Sequence, residues 1–219
     1  MTSMNSVKRN PPSPGFKYLA NGAFSSAYYN EDTVENIVSE IPGGNIDLSK
    51  HILQIVWEKA SENAKRFIPE IRQLRVTSIL GETEVVYKSK RYTVYDKYGE
   101  GEFKTDSLTD LAALVLDKAR SLNEFGGEFE KDFTSFLFML KRYAGDSDYN
   151  GISEYIGLII QEVSNLGLSK SSRFDITKRN IAFDGQQLIL LDPFYCLGPV
   201  GIIQRSQPTI ARYLKGCLS

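Results

Sequence analysis

Phe174-Asp-Ile-Thr-Lys-Arg-Asn-Ile-Ala-Phe183, a turn, and then Leu188-Ile-Leu-Leu-Asp-Pro-Phe194 form the stretch on which the fold reading turns. Asn180 follows Asp175 by five residues, and Asp192 follows Asn180 by twelve. Ile181–Phe183 and Leu188–Leu191 are short apolar runs, and the Asp184-Gly185 pair between them is a hairpin signal. The spacing predicts a two-stranded ribbon with Asn180 entering one strand and Asp192 leaving the next, so that the two face each other.

Such a layout suits phosphoryl transfer. That chemistry asks the protein for little covalent help. It needs an acceptor hydroxyl held in line and charge neutralised by a divalent cation. Magnesium takes hard oxygen ligands, so the Asn180 amide and the Asp192 carboxylate are candidate metal ligands, with phosphate and water completing the shell. Asp175 is then the candidate catalytic group beside the attacking hydroxyl. The same three residues also fit an ordinary β-hairpin with polar ends, which needs no ligand.

The chain has 219 residues, of which 42% are hydrophobic and 24% charged, enough for a core in one domain or two small lobes. A formal net charge of −1 argues against nucleic-acid binding driven by bulk charge. Cys196 and Cys217 make no disulfide framework and suit a reducing cytosol. No apolar run is long enough to span a bilayer and no signal-peptide core opens the chain, so a cytoplasmic protein without a membrane partner is expected. Residues 1–14 are polar and proline-rich and read as a loose tail.

Order is expected from Gly15. Phe16–Leu19 reads as a strand, Ala20–Ala23 as a turn, and Phe24–Tyr29 as the returning strand. A hairpin tip built from Ala20, Asn21, Gly22, Ala23, Phe24 and Ser25 lets backbone N–H groups lie over phosphates, with an aromatic shielding the site. Taken alone, the tip is equally a plain hairpin. Its position early in the chain, with the Asp175–Asp192 ribbon late, makes it more informative.

Gly15–Tyr28 together with Phe174–Phe183 and Asp192-Pro193 resemble the early serine/threonine protein kinases of T-seven-like bacteriophages. The resemblance covers these two ends, and the middle only by pattern. It implies an α+β, two-lobed protein-kinase-like fold. Residues 15–98 would form an antiparallel-sheet N-lobe with one helix, and 99–219 a reduced, truncated helical C-lobe carrying the catalytic loop. It further implies use of ATP and Mg2+. Host proteins of transcription or RNA processing would be the substrates, modified in the host cytoplasm early in infection.

Against that family the chain departs in several places. Thr33–Val38 stands where a third strand should carry a lysine that grips the nucleotide's phosphates, and Asn36 or Glu35 occupies the place. No lysine lies between Lys17 and Lys50, so Lys17 on the first strand is the candidate substitute, with Asn36 as a neutral phosphate donor. The following helix, capped by Asp47 or Ser49 and periodic through Phe67, offers Glu58 and Glu62 as solvated face residues. His51 reads as surface or capping. Arg75–Leu80, Thr83–Lys88 and Arg91–Tyr95 alternate as strands, Asp96–Gly101 reads as a hinge, and 108–122, 129–143 and 152–166 as helices with Gly167 as a C-cap. Thr177 replaces the lysine usual two residues after the aspartate, so Lys178 is the candidate for neutralising the transferred group. Asp192-Pro193-Phe194 replaces Asp-Phe-Gly, and proline stiffens that turn. Pro208–Cys217 supplies one short final helix.

Three functions follow as alternatives. The first is a small ATP- and Mg2+-dependent serine/threonine protein kinase acting on host proteins and on itself. The second is a degenerate kinase that binds and inhibits a host protein, favoured by Asn36. The third is a small-molecule phosphotransferase, whose loop shares the Asp–Asn step. Metal-dependent nucleotide binding abolished by Asp192→Ala separates the first and third from the second.

Overall fold

The computed structural model describes residues 13–21, 25–79, 82–95, 106–123, 128–185 and 187–206. It is a mixed α+β chain built on a five-stranded antiparallel sheet. Strands β1 (Lys17–Asn21), β2 (Ser25–Tyr29) and β3 (Thr33–Ser39) follow one another; β5 (Ile71–Ile79) and β6 (Glu82–Lys90) complete the order β1-β2-β3-β6-β5. Alternation along β3 sends Glu35 and Ile37 to one face, and Asn36 and Val38 to the other. Glu35 is buried on the outer face, beside a small cluster of Phe16, Tyr28, Ile37 and Val86, and accepts a bond from the Ser13 hydroxyl at 3.1 Å. Val38 and Tyr87 lie on the inner face, within the main core.

That inner face is covered by α1 (Ser49–Lys59), reached through the short strand β4 (Asn45–Asp47). The helical period that runs in sequence to Phe67 is broken. Ala60 is extended, and Ser61 caps a separate turn, α2 (Glu62–Lys65). The Ser61 N–H and hydroxyl both donate to Glu154, at 2.7 and 2.6 Å, which ties the break to a helix far along the chain.

Strand β7 (Thr93–Val94) is shorter than the sequence alternation suggests, and Arg91 belongs instead with the preceding ladder, its N–H donating to the Asp32 carbonyl. Three helices follow: α3 (Asp106–Asn123), α4 (Phe129–Leu140) and α5 (Asp146–Asn165). Each buries one stripe, for α5 Ile152, Tyr155, Ile156, Ile159 and Val163. Gly167, at φ +69°, ends α5 in a left-handed turn, with Leu168 N–H bonded to Val163 and Gly167 N–H to Ser164.

The last segment is woven from short strands. β8 (Ser172–Phe174) and β11 (Phe194–Pro199) pair with each other, and β9 (Ile181–Asp184) pairs with β10 (Gln187–Leu190) around Gly185 at φ +59°. The final described element is α6 (Gly201–Ser206). β11 also pairs with β4, and β9 with β7. Residues before and after the expected boundary at 98/99 are therefore joined by two sheets, and one hydrophobic core runs from Val38 and Ile52 to Ile159 and Leu190. The boundary itself, the Asp96–Gly101 hinge, the 1–12 part of the tail and the Pro208–Cys217 helix lie outside the described residues. Among the described residues no helix is long and apolar enough to cross a membrane.

Candidate functional site

Two antiparallel pairings bring Asp175, Asn180 and Asp192 together. In the first, Phe174 of β8 lies opposite Phe194 of β11, so the next residues outward meet, and Asp175 N–H donates to the Pro193 carbonyl at 2.8 Å. In the second, the β9–β10 register carries on past Ile181 and Leu190, and Leu191 N–H donates to the Asn180 carbonyl at 2.7 Å. Leu191, not Asp192, is thus the residue across from Asn180. The Asn180 side chain turns instead to Asp175, its amide donating to the main-chain oxygen at 2.7 Å and to the carboxylate at 3.0 Å. With the NH2 so used, its Oδ1 is the amide's acceptor for any cation.

Aromatic packing holds this loop from below. Phe174 sits edge-on to Phe133 with ring centroids 4.9 Å apart and against Phe136 at 5.7 Å, both from α4. Phe194 rests on Phe129. The stripe expected on that helix is core packing, and its work is to seat the strands on either side of the site. Tyr155 of α5 donates its buried hydroxyl to the Leu190 carbonyl at 3.1 Å, two residues before Asp192.

The charges are arranged closely. Lys50, in the first turn of α1, places its ammonium 2.5 Å from Asp192 Oδ2, and its side chain is only 12% exposed. The other oxygen, Asp192 Oδ1, is buried without a hydrogen-bond partner. Burial raises the Asp175 carboxyl pKa above the usual aspartate range; the Asn180 hydrogen bond pulls it back and the Asp192 charge adds to the rise. Asp47 is raised for the same first reason, burial, and then by Asp192. Its carboxylate accepts from the Ser49 N–H and hydroxyl, both at 3.0 Å, and from the Cys196 N–H at 3.2 Å, locking β4, α1 and β11 around the pair. Above them on β6, the Tyr87 hydroxyl is buried without a hydrogen-bond partner, and burial, with the Asp47 charge second, raises its pKa.

A buried carboxylate oxygen with no donor, beside a second carboxylate, is a position for a cation. The Asn180 Oδ1 and the Asp192 carboxylate are oxygens of the kind magnesium takes, usually one or two from the protein with the remaining positions left to phosphate and water. Among the described residues no group of three or more His, Cys, Asp or Glu side chains forms an all-protein metal cage.

The other expected residues fall in different places. Asn36, not Glu35, is on the inner face, its Cα paired with Ala27 on one side and Tyr87 on the other. Ala20 is exposed on β1, and Ser25 lies opposite Val38, at the end of β3 that leads on to β4. Asn21 closes β1; Gly22, Ala23 and Phe24 lie outside the described residues. Lys17 stands at the opposite end of the sheet. It pairs with Tyr29, and its exposed side chain borders a surface depression with Asn30, Asp32, Lys88 and Arg91 rather than the Asp192 cluster. Lys178 is exposed on a 3-10 turn with Arg179 and Asn180. Glu58 and Glu62 are exposed, Glu62 paired to Lys65. His51 is buried rather than on the surface, and burial lowers its pKa, favouring the neutral ring.

Lys50 is what reading the sequence missed. A signal for it exists. The macrodipole disfavours a cation in the first turn of a helix, and α1 has no acidic residue there to offset it. A residue that breaks a local rule is where function is to be sought. Tyr87, an aromatic inside a strand, carried no such mark. No protein-family model matches the chain, and no curated protein matches it.

Proposed function

We propose that this protein is a phosphotransferase of the protein-kinase type, moving the γ-phosphoryl group of ATP to a hydroxyl of a protein acceptor, in a kinase-like arrangement of the α+β fold. The observation that carries the reading is the convergence of Asp175, Asn180 and Asp192, with one Asp192 oxygen on Lys50 and the other buried and unpartnered.

In this reading Asp175 orients the acceptor hydroxyl and takes its proton as the oxygen attacks the γ-phosphorus. The bond from that phosphorus to the β–γ bridging oxygen breaks, and ADP departs with the bond's electrons. The raised pKa of Asp175 brings it nearer to the working range of a proton acceptor. Asn180 holds Asp175 in place through its NH2 and keeps Oδ1 for the metal; Asp192 supplies the carboxylate. Magnesium, when bound, supplies positive charge to the phosphate oxygens. A phosphate cover at the Ala20–Ser25 tip rests on the resemblance alone, since Gly22, Ala23 and Phe24 lie outside the described residues. Host proteins of transcription or RNA processing enter as acceptors on the strength of the phage-kinase resemblance alone.

Labelled γ-phosphate from ATP with magnesium, offered to the protein and to host lysate beside Asp175→Ala, tests the reading. Label that appears with the native chain and is lost in a folded Asp175→Ala supports it. No label in either, with both folded, overturns it.

A further inference from the structure

Lys50 belongs to no strand of the sheet, yet it is the cation the chain brings to Asp192. We propose that Lys50 is the phosphate-binding lysine of this site, held on Asp192 in the free protein and passed to the α- or β-phosphate when nucleotide and metal bind. The proposal rests on the phosphotransferase reading above and names a residue that reading leaves unassigned.

Four observations lead to it. The Lys50 side chain is largely out of water and its ammonium is directed at the carboxylate, so most of its ordering cost is already met in the free protein. The chain sets this cation against the macrodipole of its own helix, and Asp192 offsets the penalty. Asp192 has one oxygen on Lys50 and one buried without a partner, so a metal arriving at this carboxylate competes with the lysine for the same charge. A phosphate that arrives with the metal offers the lysine a second anion, and the exchange leaves no buried charge unpaired. The third strand offers no cation of its own on the inner face, where Asn36 is neutral. Asn36 is paired there with Tyr87 of β6.

The geometry of Lys17 and Lys178 is unlike this. One lies at the far end of the sheet and the other is exposed on the loop surface. Neither ion-pairs with Asp192 among the described contacts.

Two experiments test the assignment. In the first, native protein with magnesium is treated with an acyl phosphate of ADP, which gives its acyl group to an amine lying near the nucleotide's phosphates. Acylation is then mapped by mass spectrometry. Lys50 is the expected site, suppressed by excess ADP. Suppressible label on Lys17 or Lys178 with none on Lys50 overturns the proposal. In the second, Lys50→Met is compared with Lys50→Arg by calorimetry with Mn2+ alone and with Mg·ADP. Loss of a charge-assisted contact predicts Mg·ADP binding about tenfold or more weaker in Lys50→Met. Loss of the competing cation predicts Mn2+ alone binding tighter. Lys50→Arg should hold Mg·ADP within a few-fold of native, and Asn36→Lys added to Lys50→Met should recover part of the loss. Equal weakening toward both ligands would assign Lys50 a purely structural role and overturn the proposal. Native protein that binds no Mg·ADP would sink the phosphotransferase reading itself; native binding that Lys50→Met retains would sink the Lys50 assignment alone. The labelling arm needs no variant, so a Lys50→Met that fails to fold leaves the proposal open to refutation.

Discussion

The Asn180 side chain donates to Asp175 twice, to its main-chain oxygen at 2.7 Å and its carboxylate at 3.0 Å, and so turns a five-residue step into a closed loop. Removing that amide should act on Asp175 before it acts on the fold. Asn180→Ala is expected to lower phosphoryl transfer by about 10–100-fold, the usual effect of losing a group that orients a reacting residue. The hydrogen bond holds the Asp175 pKa down against burial, so its loss lets that pKa climb. The acid limb of the pH–rate profile should therefore move to higher pH. An unchanged limb would mean that Asp175 does not set it.

Asp175 also carries a stability consequence. Its pKa is raised in the folded chain, so the folded state holds its proton more tightly than the unfolded state does. Stability from this group is complete below the ordinary aspartate value and is lost as pH rises through the raised folded value. Asp175→Asn keeps an acceptor for Asn180 and removes the ionisation. In chelator, without metal, the variant should melt higher than native near neutral pH, and the two should converge in acid. It should transfer no phosphate. A variant that melts lower at neutral pH would place the Asp175 charge in a stabilising contact.

Asp192→Ala should behave in the opposite way. Lys50 is nearly out of water, and truncating its partner leaves an uncompensated ammonium. Full burial of such a pair would cost about 3–5 kcal/mol on breaking. Asp192 is about a third exposed, so a loss of about 1–2 kcal/mol is expected. Metal-dependent nucleotide binding should vanish with it, and adding Lys50→Met should recover part of the stability. Denaturant unfolding of the two single variants and the double closes this cycle.

How much of this was legible in the chain depends on the range of the force involved. The Asp184-Gly185 turn and the stripes of α3 and α4 are local, and the structure has them within a few residues of the expected bounds, whereas α5 begins at Asp146, six residues before the expected Ile152. The break at Ala60 was hidden because its cause, Glu154 bonded to Ser61, lies on another helix. The joining of β4 to β11 and of β7 to β9 was hidden for the same reason, since strands of two or three residues carry no period of their own. Lys50 was passed over because a strand lysine was sought by position, whereas charge can be supplied from any element that reaches the site. His51 was misplaced because one turn of helix does not say which face is covered.

The docking of α5 on the segment after α1 gives a last pair of variants on one helix. Gly151 faces Phe67 and Asn63. A Cβ there would lie 2.5 Å from the Phe67 ring and 2.8 Å from the Asn63 carbonyl, and the carbonyl belongs to backbone that does not yield readily. Gly157, six residues nearer the C-terminal end of the same helix, would meet nothing within 4 Å. Alanine at either position gains up to about 1 kcal/mol of helix propensity. At Gly157 that gain should appear undiminished, raising the melting temperature by about 2–4 °C. At Gly151 overpacking costs about 1–3 kcal/mol, more than the gain, and the melting temperature should fall. The sign difference between two identical substitutions on one helix is the quantity to measure, by thermal or urea unfolding. Equal stabilisation by both would show that α5 does not rest on Phe67. The support that Tyr155 gives the strand leading to Asp192 would then need another origin.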